Sequence, residues 1–146
     1  MFQKILVGSD GSEDALKAAR TAAEIAVKFD GEIVLVTVFN PAPLLASGAL
    51  TSGAVISTET VYQAAEEAQV AVEARTGKVL AEAGARYTAR RELGHPVDKI
   101  VRVAEEEQAD LIVLGSRGLG GFQRFLLGSV SDGVLHHAHC PVLIVR

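Results

Sequence analysis

Gly115, Gly118, Gly128 and Ser129 fall in the pattern Gly-x2-Gly-x9-Gly-Ser. Glycine lets a bulky group approach the main chain closely and lets the backbone take positive φ. The apolar run Leu111-Ile112-Val113-Leu114 precedes the pattern and reads as a short buried strand, and 130–138 follows it as a short helix. A strand, a glycine-bearing loop and a helix start together suit an anion, because the helix start offers unpaired N–H groups and partial positive charge. The amides of 128–130 and the Ser129 hydroxyl are the candidate donors for phosphate oxygens. Arg117 and Arg124 lie in the loop between, and guanidinium forks match phosphate geometry. The stretch therefore reads as a nucleotide site. Plainer alternatives stand beside each part: a turn for the glycine pair, an N-cap for Ser129, solvent-facing side chains for the arginines.

A second glycine exit, Gly8-Ser9-Asp10-Gly11, follows the apolar run Ile5-Leu6-Val7. The Asp10 carboxylate is placed to hold a metal ion or to accept ribose hydroxyls beside a phosphate, or else it is a turn or capping residue. Val38, near the end of the second strand, stands where a flat base can rest and read main-chain polar groups; its alternative is ordinary core. Glu13 and Asp14 already occupy the dipole of the first helix, which makes that helix the weaker phosphate site.

The elements that position these residues follow from periodicity. The first strand ends at Gly8, and Ser12 caps a helix with Ala15, Ala19, Ala22, Ala26 and Phe29 on one face. Asp30-Gly31 stops it, and 32–39 is a second strand. Residues 40–57 carry two prolines, two glycines and no charge. They read as a long surface loop or as a lid, beyond the roughly 12–15 residues compact domains tolerate. The longest helix is 58–83, with Val61, Ala64, Ala65, Ala68, Val72, Val79 and Leu80 as its buried stripe and Gly77 as a weak or bent point. Residues 86–93 read as an edge strand with polar alternation. Pro96 opens the next helix, Ile100, Val103 and Ala104 form its apolar side, and Glu105-Glu106-Glu107 is its solvated end. Cys140-Pro141 breaks the last helix before a fifth strand, 142–145. The order β-α-β-α-β-α-β-α-β predicts an α/β fold: one doubly wound, five-stranded parallel sheet, strand order 3-2-1-4-5, helices on both faces, in a single domain over 1–146. Strands one and four then flank the crevice past their carboxyl ends, and both end in glycine.

The spaced glycine–serine pattern is similar to the ATP-binding signature of the universal stress protein family. So are the opening Ile5-Leu6-Val7-Gly8-Ser9-Asp10-Gly11-Ser12 and the ending Cys140-Pro141-Val142-Leu143-Ile144-Val145. The resemblance covers essentially the whole chain. It implies a Rossmann-like domain that binds an adenine nucleotide, ATP or else ADP or AMP, with Mg2+, usually as a homodimer linked to stress responses. It implies that Asp10 contacts ribose or metal-bound phosphates and that Val38 meets adenine through its backbone. Leu114, Gly115, Arg117, Gly118, Gly128, Ser129 and Val130 would line the ribose and phosphate region, with Gly8 and Ser9 in the first loop. Gly8 departs from members that carry proline there.

Other chemistry lacks its residues. No lysine follows Lys99, so this is no Walker P-loop. The first loop lacks the serine-glycine-glycine motif of adenylating synthetases. His136, His137 and His139 point apart on a helix and read as complements to its dipole, His95 as a turn residue, and Cys140 as a small packed side chain. Net charge is −4, which suggests neither nucleic acid nor an anionic membrane as partner. With one cysteine, no leader-like start and no long apolar run, the expectation is a soluble cytoplasmic protein. The apolar fifth strand at the sheet edge predicts pairing with a second copy. Three readings of function follow: a nucleotide-dependent sensor, a slow ATPase or autophosphorylating enzyme with Ser129 or Ser131 as acceptor, and a dimeric scaffold that binds no nucleotide.

Overall fold

The computed structural model describes residues 1–46, 57–117 and 127–146. Its elements run β1 (Lys4–Gly8), α1 (Glu13–Phe29), β2 (Glu32–Phe39), α2 (Ala42–Ala46), α3 (Thr58–Glu82), β3 (Tyr87–Leu93), α4 (Pro96–Glu106), β4 (Leu111–Gly115), α5 (Ser129–His137) and β5 (Val142–Val145). The short α2 falls inside the loop expected over 40–57; positions 47–56 of that loop lie outside the described residues.

The strands form one sheet in the order β3-β2-β1-β4-β5. Every neighbouring pair is parallel; Ile5 of β1 stands opposite Ile33 of β2 on one side and Leu111 of β4 on the other. Side chains alternate across a strand, so two core layers form. Ile5, Val7, Ile33, Leu35, Leu111 and Val113 face α1 and α3. Leu6, Val34, Val36, Ile112 and Leu114 face α4 and α5. This is why the central strands read as continuous apolar runs instead of alternating ones.

The alanine face of α1 is buried at Ala15, Ala18, Ala19, Ala22, Ala23 and Ala26, which lets the helix lie close to the sheet. Phe29 sits at the margin of that face and meets Phe2 edge-on, with ring centroids 5.5 Å apart. The Ser12 hydroxyl caps α1 by accepting the Ala15 N–H at 3.2 Å. Asp30 ends it with φ at 53°, the left-handed stop that small polar residues tolerate.

Two expectations, on α3 and on the α4 glutamates, need correction, and Gly77 gains a packing reason. The buried stripe of α3 is Ala65, Gln69, Thr76, Gly77 and Leu80; Ala64 and Ala68 face solvent. The stripe is partly polar because strand ends beneath it have main-chain groups to satisfy: Gln69 Nε2 donates to the Thr37 carbonyl at 3.1 Å and the Glu92 carbonyl at 2.9 Å. Gly77 is a packing notch, since a Cβ there would stand 2.9 Å from Tyr87 Cζ. Glu106 and Glu107 are not merely solvated: with Glu92 they converge on Arg90 of β3, at 2.9, 3.1 and 2.6 Å.

Candidate functional site

A cavity of about 440 Å³ opens past the carboxyl ends of β1 and β4. Here strand order reverses: β1 leads on to β2 on one side and borders β4 on the other. Crevices at such a switch point are where open α/β sheets take ligands. Gly8, Ser9, Asp10, Val38, Leu114, Gly115, Arg117, Gly128, Ser129 and Val130 all line it. Gly118 and Arg124 lie outside the described residues.

The first wall is the turn after β1. The Ser9 N–H donates to the Val36 carbonyl at 3.1 Å, the last rung joining this chain segment to β2. Asp10 Oδ1 accepts the Ser12 N–H at 2.9 Å. The Ser9 hydroxyl accepts the Gly11 N–H at 3.2 Å and stands 2.8 Å from the buried Thr76 hydroxyl of α3. Asp10 is therefore both a turn residue and a cavity residue; the two readings are compatible.

The second wall is the end of β2. Val36 O faces β1, where it meets Ser9, while Phe39 O faces β3, accepting the Gly94 N–H at 2.9 Å. Main-chain groups alternate sides along a strand, so the amide and carbonyl of Val38 turn back toward β1. The β1 register ends at Gly8 opposite Val36, two residues short of Val38. Val38 thus presents a donor and an acceptor side by side at the cavity, the complement of one polar edge of a planar base.

The third wall is the start of α5. Its N-cap is Gly128, with no side-chain cap. The Gly128 N–H donates to the Ser116 carbonyl at 2.6 Å, so it is not available to a phosphate as the sequence suggested. The Ser129 and Val130 amides have no hydrogen-bond partner among the described residues, and both residues line the cavity. Uncapped first-turn amides at the positive end of a helix suit an anion. The buried Ser131 hydroxyl is engaged elsewhere: it donates to the Gly115 carbonyl at 2.5 Å and fastens α5 to the end of β4.

The sequence reading missed the apolar side of the cavity, which Pro96 and Ile100 of α4 supply with Val36 and Ala15. A signal existed. The chain must cross from β3 at the edge to β4 beyond β1, so the helix between them starts beside the carboxyl ends of the central strands. The remaining candidates sit elsewhere. His136 and His137 place Nδ1 at 2.7 and 2.8 Å from carbonyls one turn back in α5. Among the described residues no three His, Cys, Asp or Glu side chains gather to hold a metal ion. Burial, and secondarily Asp110, pushes the Cys140 thiol above its usual range. Among the described residues no helix is long and apolar enough to cross a membrane.

Comparison with known proteins agrees in extent and in shape. The family model described as the universal stress protein family matches residues 1–146. The universal stress protein MJ0531 of Methanocaldococcus jannaschii is 38% identical over 146 residues, covering 100% of this chain and 83% of its own. A universal stress protein crystallised in complex with cAMP superposes with a TM-score of 0.74 at 29% identity, over 99% of this chain and 97% of the other. The universal stress protein from Archaeoglobus fulgidus in complex with dAMP superposes with a TM-score of 0.67 at 25% identity, over 100% of both chains.

Proposed function

This chain belongs to the universal stress protein family, and from that premise we propose that its cavity binds an adenine nucleotide, ATP with Mg2+, and acts as a cytoplasmic stress-response switch. The observation that carries the proposal is the convergence of three unlike groups on one 440 Å³ space. Val38 offers a main-chain donor and acceptor for the base. Asp10 offers a carboxylate for ribose or for the metal that accompanies the phosphates. The Ser129 and Val130 amides, with Arg117 beside them, offer donors for phosphate oxygens. Pro96 and Ile100 give the base an apolar face. Relatives that superpose on the chain carry cAMP and dAMP, which agrees with an adenosine-sized site ending in phosphate donors.

Thermal unfolding with and without ATP–Mg2+ tests this. A ligand at 100 times its dissociation constant adds about 2.7 kcal/mol. For a chain of this size the midpoint rises by roughly 5–10 °C. An unchanged midpoint at saturating nucleotide would leave the scaffold reading in its place. Autophosphorylation is the second reading, and one observation narrows it. Ser129 is exposed at the cavity, whereas the Ser131 hydroxyl is buried and already donating to Gly115. Phosphate incorporated from ATP is then expected at Ser129, and its absence on mass spectrometry removes that reading.

A further inference from the structure

Ser116 stands between two cavity residues, Gly115 and Arg117, yet its own side chain points away from the cavity into the protein. It is 5% exposed. Each of its polar groups reaches a different element. Its hydroxyl donates to Asp14 Oδ2 of α1 at 2.9 Å. Its N–H donates to the Val145 carbonyl of β5 at 2.8 Å, and its carbonyl accepts the Gly128 N–H at the start of α5 at 2.6 Å. The start of α1 is held against this point by close packing: a Cβ on Gly115 would lie 2.7 Å from the Asp14 carbonyl carbon and 2.9 Å from the Ala15 nitrogen.

We infer that Asp14 and Ser116 are positioning residues for the phosphate end of the site, a deepening that rests on the nucleotide reading above. The Asp14 carboxylate fixes the Ser116 hydroxyl, which sets the orientation of the Ser116 peptide. That peptide carbonyl is the anchor for Gly128, the residue from which α5 and its two open amides depart. Without the anchor the α5 start keeps the bond from the Ser131 hydroxyl to Gly115 but is released at Gly128, and the Ser129 and Val130 amides between the two no longer converge on one point. Asp14 does this as a hydrogen-bond acceptor and not as a charge. The carboxylate lies in the first turn of α1, where the partial positive charge of the helix start favours it. The base end, at Val38 and Ile100, lies outside this linkage.

The separation of the two ends gives the test. Isothermal titration of the full chain with adenosine, AMP and ATP–Mg2+ measures how much the phosphates add to affinity. Asp14→Ala and Ser116→Ala are expected to lose about tenfold of the ATP affinity, the scale of one hydrogen bond to a charged group. Adenosine affinity should stay within about twofold, as for sites that do not share a contact. That unchanged adenosine affinity shows that the variants are folded. The double variant should lose no more than either single one, and Asp14→Asn, which keeps the acceptor and removes the charge, should retain the wild-type preference for ATP over adenosine. If the variants keep the full gain from phosphates, or lose adenosine and ATP equally, the assignment is overturned while the nucleotide site stands. If the wild-type protein gains nothing from phosphates, the nucleotide reading falls and this inference falls with it.

Discussion

A methyl group on Gly115 has no room, because the backbone of α1 at Asp14 and Ala15 lies within 2.9 Å of where it would stand. Those neighbours are main-chain atoms in a capped first turn, so they cannot swing aside as a side chain would. Gly115→Ala is expected to destabilise the protein by about 1–3 kcal/mol, the usual penalty for overpacking a filled site. A lowered urea midpoint with an unchanged slope would register it. That a glycine was needed at 115 was legible in the sequence; its reason was not. The spacing of Gly115 from Gly128 suggested room for a ligand, whereas the atoms that forbid a side chain belong to a helix a hundred residues earlier. The same gap separates Ser116 from Asp14. No local pattern ties them. Asp10 and Val38 were easier, since a residue at or just past the carboxyl end of a central parallel strand falls at the crevice of a doubly wound sheet whatever its type.

At the scale of elements, β3 and α4 are joined by charge. Burial opposes the charge on Arg90 most strongly, yet its hydrogen bonds to Glu106, Glu107 and Glu92 outweigh that and raise its pKa. Hydrogen bonds from Arg102 first, and Arg90 second, hold the Glu106 carboxyl below the ordinary value of 4.5. A carboxylate whose folded pKa is depressed contributes stability that is present above its unfolded value and lost as pH falls through the folded one. Stability is therefore expected to fall as the solution is acidified below pH 4.5, in urea melts read at low ionic strength. Arg90→Met should lower the urea midpoint at pH 7, and the gap from wild type should narrow in acid. It should narrow again in molar salt, because these side chains are partly exposed and open to screening. An equal gap at every pH would remove the network from the account. Glu106 and Glu107 looked like part of a solvated helix end because their partner Arg90 lies on the preceding strand, more than a dozen residues back, and only folding brings it beside them. Likewise the stripe of α3 was misread by one position on its solvent side, since alanine is at home on either face. Gln69, which the apolar pattern excluded, is buried because it satisfies strand carbonyls.

The whole molecule was the most legible level. Four apolar runs separated by amphipathic stretches leave a parallel doubly wound sheet as the default arrangement. The observed order β3-β2-β1-β4-β5 is that arrangement. The weakest strand in the sequence, polar and alternating, proved to be an edge because an edge need not be buried on both faces. The other edge, β5, bears the expectation of pairing. Ile112 donates to Pro141 O and Ser116 to Val145 O, so alternate β5 residues face β4 and the amides of Val142 and Ile144 face outward. Native mass spectrometry at micromolar concentration is expected to show two subunits. Val142→Pro, which removes one outward N–H and leaves the bonds to β4 intact, should shift the population toward one subunit. A wild-type protein of single-chain mass would count against the pairing.

The two borders of the sheet are unlike in a way that limits growth. Along β3 run Arg90, Arg91 and Glu92: Arg90 is paired with Glu92, Glu106 and Glu107, and Arg91 with Glu73. Along β5 run Val142, Leu143, Ile144 and Val145, with no charge among them. A further copy arriving at β3 would meet desolvation of charges with nothing gained, so a ribbon extending from both sides is disfavoured. Joined through β5 by a two-fold axis, the molecule would present only guarded borders to the outside. Polymerisation into fibres would then be closed off after the first union.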